Sequence, residues 1–141
     1  ELDGSNVLNG SGHVHAFAGD DWDEVVWRMR LKLTKESSAT HLNFHASGHK
    51  RYMISFNKHG THIMVDDSMF ADASINHFPE DWHIVEISRI DNVLRVAVNN
   101  ILEIEKKHDN PLPPGRIWIE SLDGTVLFLD DVNVCKPRNK N

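Results

Sequence analysis

The sequence has little cysteine, no long apolar run and no dense cluster of basic residues. Its single cysteine, Cys135, excludes an internal disulfide and a metal site built from several cysteines. No apolar run approaches the roughly 20 residues that cross a bilayer as a helix, so membrane insertion is not expected. The net charge of −6 argues against a nucleic-acid partner, because binding phosphates requires clustered lysine and arginine.

The length of 141 residues suits one domain, and 40% hydrophobic with 26% charged residues is an ordinary globular balance. We predict a single β-sandwich domain over 1–135, followed by a polar C-terminal tail or linker stub over 136–141. No signal peptide opens the chain at Glu1, which favours a mature or excised domain. Cys135 ends an apolar strand pattern, so we expect a buried, unreactive thiol.

Period-two alternation between turn signals is the main structural pattern. The odd positions over 25–33 are all apolar, with Arg28, Arg30 and Lys32 between the later ones, and shorter runs follow around Leu42, Ile54, Val96 and Ile117. Turn signals separate these runs at Lys58-His59-Gly60, Asp91-Asn92, Asn99-Asn100 and Asp123-Gly124. Residues 66–79 form a polar stretch without an assigned strand, and 108–115, with three prolines, is predicted as a loop. Without helical periodicity, the pattern predicts an all-β, two-sheet antiparallel β-sandwich.

Seven segments, taken in order, resemble the strand pattern of a known family. They are Trp27–Leu33, His41–His45, Tyr52–Phe56 with His59-Gly60, Trp82–Ile87, Leu94–Asn100, Gly115–Ile119 and Leu129–Val132. Together they resemble concanavalin A-like jelly-roll domains of the laminin-G-like type, in particular levan-type carbohydrate-binding modules and 3-keto-disaccharide hydrolase domains. Trp118 stands where that pattern has glycine, and His45 stands where levan binders commonly place arginine. The resemblance implies a jelly roll, a sugar-related role and an extracellular or cell-surface location.

The alternation also indicates which side chains point away from the core. If the apolar partners on the same strands are buried, the outward set is His41, Asn43, His45, Trp118, Glu120, Arg28 and Arg30. In the family that the sequence resembles, the corresponding strands form the sheet whose concave outer surface holds the ligand. Trp118 would stack against the C–H face of a sugar, while the polar side chains would bind its hydroxyls. The alternative is an ordinary solvated face with Trp118 covered by a loop.

The other three tryptophans have different expected places. Trp27 is in register with buried neighbours, so we predict that it lies in the core. Trp82 opens a strand and is expected to cap the sandwich. Trp22 follows acidic residues in a predicted loop, where it is either a loop residue or a loop-borne sugar contact.

Carboxylates near both ends of the chain are candidate metal ligands. Asp20, Asp21 and Asp130 supply the hard oxygen atoms that Ca²⁺ prefers, and the resemblance implies a structural calcium in such modules. The alternative is that they are surface acids and a turn-binding aspartate. The pair His41 and His45 shares one side of a strand and is a weaker candidate for a transition metal.

Catalytic motifs are scarce, since neither a Gly-x-Ser-x-Gly elbow nor a His-Glu-x-x-His pair occurs. Glu103 and Glu105 alternate on one strand face, but no partner residues complete a glycosidase site. We therefore predict a non-catalytic, lectin-like carbohydrate-binding module of a larger secreted or cell-surface protein, with a polysaccharide or glycan as partner and covalently linked neighbouring domains. The alternatives are an adhesion sandwich that binds proteins and a sugar-processing hydrolase domain.

Overall fold

The computed structural model describes residues 8–11, 14–35, 37, 39–47, 50–121 and 126–137, and side chains within 22–35, 37, 39–44, 50–121 and 128–137. These residues form twelve β-strands: β1 (Leu8–Ser11), β2 (Val14–Trp22), β3 (Val25–Leu33), β4 (Thr40–Ser47), β5 (Lys50–Asn57), β6 (Gly60–Val65), β7 (Ser68–Ala73), β8 (His83–Ile90), β9 (Val93–Val98), β10 (Ile101–Lys107), β11 (Gly115–Ser121) and β12 (Val126–Cys135). None of the described residues forms a helix long and apolar enough to cross a membrane.

The strands form two antiparallel sheets of six strands each. The first sheet has the order β1-β12-β3-β8-β9-β10, and the second sheet has the order β2-β11-β4-β5-β6-β7. The predicted all-β sandwich is therefore confirmed. The Asp123-Gly124 turn lies outside the described residues, and the boundary between domain and tail stays a prediction.

The core lies between the sheets and follows the predicted alternation. From the first sheet, the odd residues of β3 from Val25 to Leu33 are all buried. From the second sheet, the buried side chains include Leu42, Phe44, Ile117 and Ile119. Because strand side chains alternate between faces, the residues between these positions lie on the outer faces of the sandwich.

Tight turns between neighbouring strands use aspartate, asparagine and glycine at left-handed backbone angles. Asp91-Asn92 and Asn99-Asn100 both have positive φ, as expected for two-residue hairpin loops. Gly60 begins β6 with φ of 154°, and an added Cβ there would lie 2.2 Å from the carbonyl oxygen of Ala73. Glycine is therefore required at position 60 by the close approach of β7.

Two expectations, one about Cys135 and one about residues 66–79, are wrong. Cys135 is exposed rather than buried, because β12 carries it to the end of the strand beyond the core. Residues 68–73 form β7, which the sequence pattern did not reveal. A register irregularity between Ile63 and Met64 where β6 pairs with β7 breaks the simple alternation there.

The proline-containing loop 108–114 is fixed to the core by Tyr52. The Leu112 N–H donates a hydrogen bond to the Tyr52 hydroxyl at 3.0 Å, and that hydroxyl also forms a short hydrogen bond with His108 Nδ1. The Tyr52 hydroxyl thus joins the loop backbone at Leu112 to the imidazole of His108. Burial, followed by the charge of Arg89, lowers the pKa of His108 below 6.5.

This geometry predicts that the fold loses stability as the pH falls below about 6.5. The unfolded chain takes up a proton on His108 near pH 6.5, whereas the folded chain does so only at lower pH, so stability is complete above pH 6.5 and falls with the pH through the folded pKa. His108→Asn should weaken this dependence in urea unfolding between pH 7 and pH 5 and leave the contribution of His41, whose pKa burial also lowers. His59→Gln, in the exposed β5–β6 turn, is the control. A wild-type midpoint that is constant over this range would contradict the prediction.

Candidate functional site

The outer face of the second sheet carries a line of polar residues that crosses the strands. Each residue of this line is paired directly with a residue of the neighbouring strand, so the line runs straight across five strands. We call it the polar row. From β11 to β7 it consists of Glu120, His41, Ser55, His62 and Asp72. All five are hydrogen-bonding side chains on rigid strands, so their relative positions are set by the sheet and not by loops.

A second, mainly apolar line lies beside the polar row, displaced from it by two residues on β11, β4, β5 and β6 and by three residues on β7, where the register shifts. We call it the Trp–Met row: Trp118, Asn43, Met53, Met64 and Met69. Exposure increases across it, from the fully buried Asn43 to Met69 at the sheet edge, which is 59% exposed. The register continues both rows onto β2, where His15 lies opposite Glu120 and Phe17 lies opposite Trp118. The side chains of these two residues lie outside the described part of the chain.

Glu120 and His41 form a hydrogen-bonding contact at one end of the polar row. His41 Nδ1 lies 3.3 Å from Glu120 Oε1, and both side chains are largely buried. Burial lowers the pKa of His41, and the charges of Arg51 and His62 act in the same direction, against the hydrogen bond and charge of Glu120. The imidazole is therefore favoured in its neutral form, in which it both donates and accepts hydrogen bonds.

Asn43 is a buried amide in the middle of this face. It has no exposed surface, and neither Nδ2 nor Oδ1 has a hydrogen-bond partner among the described residues. Nearly all buried polar groups in folded proteins are paired, so such an amide is a candidate for binding a ligand or an ordered water. Beside it, the guanidinium of Arg51 lies 5.8 Å from the ring centre of Trp118.

A cleft of ≈ 180 Å³ lies at the β7 end of both rows. It is lined by Asn57, His59, Gly60, Thr61, His62, Met69, Asp72, Ala73 and Ser74. His62 and Asp72 belong to the polar row, and Met69 belongs to the Trp–Met row. The outer face therefore runs from Trp118 into a recess at the opposite edge of the sheet.

The structure separates the predicted ligand-binding residues into two groups. Trp118, Glu120, His41 and Asn43 lie together, because β11 and β4 are neighbours in the second sheet. His45 lies on β4, but its side chain is outside the described part.

The prediction that Arg28 and Arg30 belong to this patch is wrong. Both lie on β3 of the first sheet, where Arg30 binds Asp130 at 2.9 Å and lies 4.7 Å from the ring centre of Trp82. Alternation shows that a residue faces outward, but it does not show from which sheet.

The candidate calcium ligands are only partly described. Asp130 is buried, and its carboxylate binds Arg30 and the backbone N–H of Asp131. Asp20 and Asp21 lie on β2 in the other sheet, and their side chains are not described. Among the residues whose side chains are described, no group of three or more His, Cys, Asp or Glu residues is placed to hold a metal. The calcium site stays a prediction.

The remaining tryptophans occupy three environments. Trp27 is buried in the core, as predicted. Trp82 does not cap the sandwich, because it lies against Arg30 and Lys32 on the outer side of the first sheet. Trp22 ends β2 and packs against the core, so it is not a loop residue.

Sequence reasoning missed the half of the face that β5, β6 and β7 supply. The missed residues are Arg51, Met53, Ser55, His62, Met64, Met69 and Asp72. Alternation around Ile54 and Ile63 already marks most of them as outward. The missing information was the strand order, which places β5, β6 and β7 beside β4.

Comparison with solved structures identifies the architecture. A Bacillus subtilis protein of unknown function with a galectin-like fold matches 95% of this chain over 83% of its own length, with a TM-score of 0.82 and 11% identity. The fold is a concanavalin A-like jelly roll. The carbohydrate binding module CBM66 from Bacillus subtilis matches 89% of this chain over 83% of its own length, with a TM-score of 0.73 and 10% identity.

A catalytic protein shares the same jelly roll. The Bacillus licheniformis beta-glucanase matches 84% of this chain over 68% of its own length, with a TM-score of 0.65 and 12% identity. No protein-family model and no curated protein matches the sequence. At these identities the likeness shows the fold alone.

Proposed function

We propose that this domain binds a glycan on the outer face of the second sheet and does not cleave it. The observation that carries the proposal is the polar row beside Trp118. Its partly or fully exposed members, His41, His62 and Asp72, supply hydrogen-bonding groups for sugar hydroxyls, and Trp118 supplies an aromatic ring for sugar C–H groups. Two structural neighbours, the carbohydrate binding module CBM66 and the beta-glucanase, support a glycan partner. The proposal includes the extracellular or cell-surface location that the sequence resemblance implies.

The positions of the carboxylates favour binding over hydrolysis. Glycoside hydrolysis needs two carboxyl groups about 5–9.5 Å apart. In the polar row, Glu120 and Asp72 are four strand spacings apart, or about 19 Å at the usual spacing.

The other pair considered, Glu103 and Glu105, does not form such a site either. Glu103 is buried between the sheets against His77, whereas Glu105 is exposed and binds Arg95. Among the described residues, these carboxylates are therefore not arranged across a common sugar-binding position.

The proposal predicts that Trp118→Ala weakens glycan binding at least about tenfold, or about 1.4 kcal/mol. The reason is that the only indole ring among the described side chains of the two rows is removed. A glycan array first identifies the ligand, and isothermal titration calorimetry then compares the variants.

Trp82→Ala is the matched control, because Trp82 is a partly buried tryptophan beside arginine on the opposite side of the sandwich. It should bind like the wild type. Equal affinity for Trp118→Ala and wild type, with both proteins folded by circular dichroism, would contradict the proposed face. Release of reducing sugar from the bound glycan would contradict a purely binding role.

A further inference from the structure

The cleft at the β7 end of the two rows has two walls. Residues 57 and 59–62, around the β5–β6 turn, form one wall, and Met69 with residues 72–74 forms the other. A turn at the end of a sheet is more mobile than the strands it connects unless other contacts fix it. The shape of the cleft therefore depends on what holds residues 57–61 in place.

His77 is buried and holds this turn through several contacts. Its Nδ1 lies 2.7 Å from the carbonyl oxygen of Asn57, and its backbone N–H donates to the carbonyl oxygen of Lys58 at 3.0 Å. The imidazole also stacks on the ring of Phe56, with 4.3 Å between the ring centres. Because a carbonyl oxygen only accepts hydrogen bonds, Nδ1 carries a proton and donates it to Asn57.

Glu103 holds the same turn from the first sheet. The bulge between Leu102 and Ile104 on β10 turns its side chain inward. Oε1 accepts a hydrogen bond from the Thr61 hydroxyl at 3.1 Å, and His77 Nε2 lies 3.0 Å from Oε1 and 2.9 Å from Oε2. The turn is therefore attached at both of its ends, through Asn57 and Thr61, to one buried pair of side chains.

Stability alone is a poor explanation for this pair. Both side chains are 3% exposed, so folding removes a carboxylate and an imidazole from water. Apolar residues of similar volume often stabilise a protein as well as such a pair does, or better. A hydrogen-bonded pair additionally fixes one geometry, because its bonds are satisfied in only one arrangement. Here that arrangement includes the turn that lines the cleft.

We propose, building on the proposed function, that Glu103 and His77 are positioning residues for glycan binding. Neither side chain touches the ligand. Together they hold residues 57–61 in the position in which the cleft wall contacts the glycan. A wall that is ordered before binding does not have to be ordered by the ligand, so the pair raises the affinity.

The test uses the double variant His77→Leu/Glu103→Leu, which fills the space with apolar side chains and releases Asn57 and Thr61. By hydrogen–deuterium exchange, the backbone amides of residues 57–62 should exchange at least about tenfold faster than in the wild type, while those of β3 and β11 keep their rates. By calorimetry, the glycan that the array identifies should bind at least about fivefold more weakly. If circular dichroism shows the double variant unfolded, Glu103→Ala replaces it, measured at a temperature at which it is folded.

Two further variants separate positioning from a general loss of stability. Glu103→Gln keeps the contacts, because its Oε1 accepts from Thr61 and its amide N–H donates to Nε2 of a neutral His77, whose Nδ1 still donates to Asn57. It should bind the glycan within about twofold of the wild type, since the turn stays attached. Trp27→Ala loses core packing on β3 instead, and while folded it should bind like the wild type.

The outcomes separate this inference from the proposed function. Wild-type affinity in the double variant, or unchanged amide exchange in its turn, would overturn the inference and leave glycan binding intact. So would affinity losses in Trp27→Ala and Glu103→Gln as large as the loss in the double variant. Failure of the wild type to bind any glycan on the array would overturn both.

Discussion

Replacing Glu103 with alanine is expected to lower the free energy of unfolding by about 3–5 kcal/mol, because it breaks a buried ion-pair contact from one side. His77 Nε2 lies 2.9 and 3.0 Å from the two carboxylate oxygens, and both side chains are 3% exposed. The Thr61 hydroxyl also donates a hydrogen bond to Glu103 Oε1 at 3.1 Å. His77 Nδ1 lies 2.7 Å from the carbonyl oxygen of Asn57, so alanine leaves an imidazole fixed in place opposite a cavity.

Glu105 on the same strand supplies the matched control. Its carboxylate accepts a hydrogen bond from Arg95 at 2.8 Å, but both side chains are substantially exposed. Exposed pairs contribute about 0–1 kcal/mol, so Glu105→Ala should change stability by no more than that. Urea unfolding, with the m-value checked for each variant, gives the comparison.

A double variant tests whether Glu103 and His77 act as one unit. His77→Leu with Glu103→Leu removes both polar partners and fills the space with apolar groups, which is less costly than leaving one partner unpaired. It should therefore be more stable than the sum of the two single changes implies. If the stability losses of the two single variants simply add in the double variant, Glu103 and His77 do not act as a unit.

Trp27→Ala is expected to lower the free energy of unfolding by about 3–5 kcal/mol. Trp27 is one of the largest fully buried side chains, 1% exposed, and it lies on the central strand β3 of the first sheet. Alanine leaves a cavity between two sheets that cannot close fully around it. The change should appear as a lower urea midpoint with an unchanged m-value.

Two comparisons make this result specific. Trp27→Phe should lower the free energy of unfolding less than Trp27→Ala does. Phenylalanine leaves a smaller cavity, and it removes an indole N–H that has no hydrogen-bond partner among the described residues. Trp82→Ala changes a partly buried residue outside the core, so it should lower the free energy of unfolding less than Trp27→Ala does. Equal losses for Trp27→Ala and Trp82→Ala would contradict the assignment of Trp27 to the core.

The sequence alone predicts which residues face inward and which face outward. Leu42 and Phe44 on β4, and Ile117 and Ile119 on β11, are buried as the alternation indicates. The same parity places Trp118 on the outer face with its neighbours on β4. These are local properties of a strand, and a period of two residues is sufficient to define them.

Strand order and bulges are not local properties, and there the predictions fail. Arg30 and Trp118 both face outward, yet they lie on different sheets. Glu103 and Glu105 should share a face, but a register shift between Leu102 and Ile104 makes Glu103 the extra residue of a bulge and turns it inward. Both features depend on pairing between distant segments, which no single strand pattern contains.

Cys135 offers a practical use of the two-sided architecture. It is the sole thiol in the sequence, it is exposed, and it lies on β12 of the first sheet, whereas the proposed binding face belongs to the second. A maleimide reagent would therefore attach at a single position. Domains immobilised through this sulfur would all present the Trp118 surface in the same orientation, which suits sensor chips and fluorescent histochemical reagents.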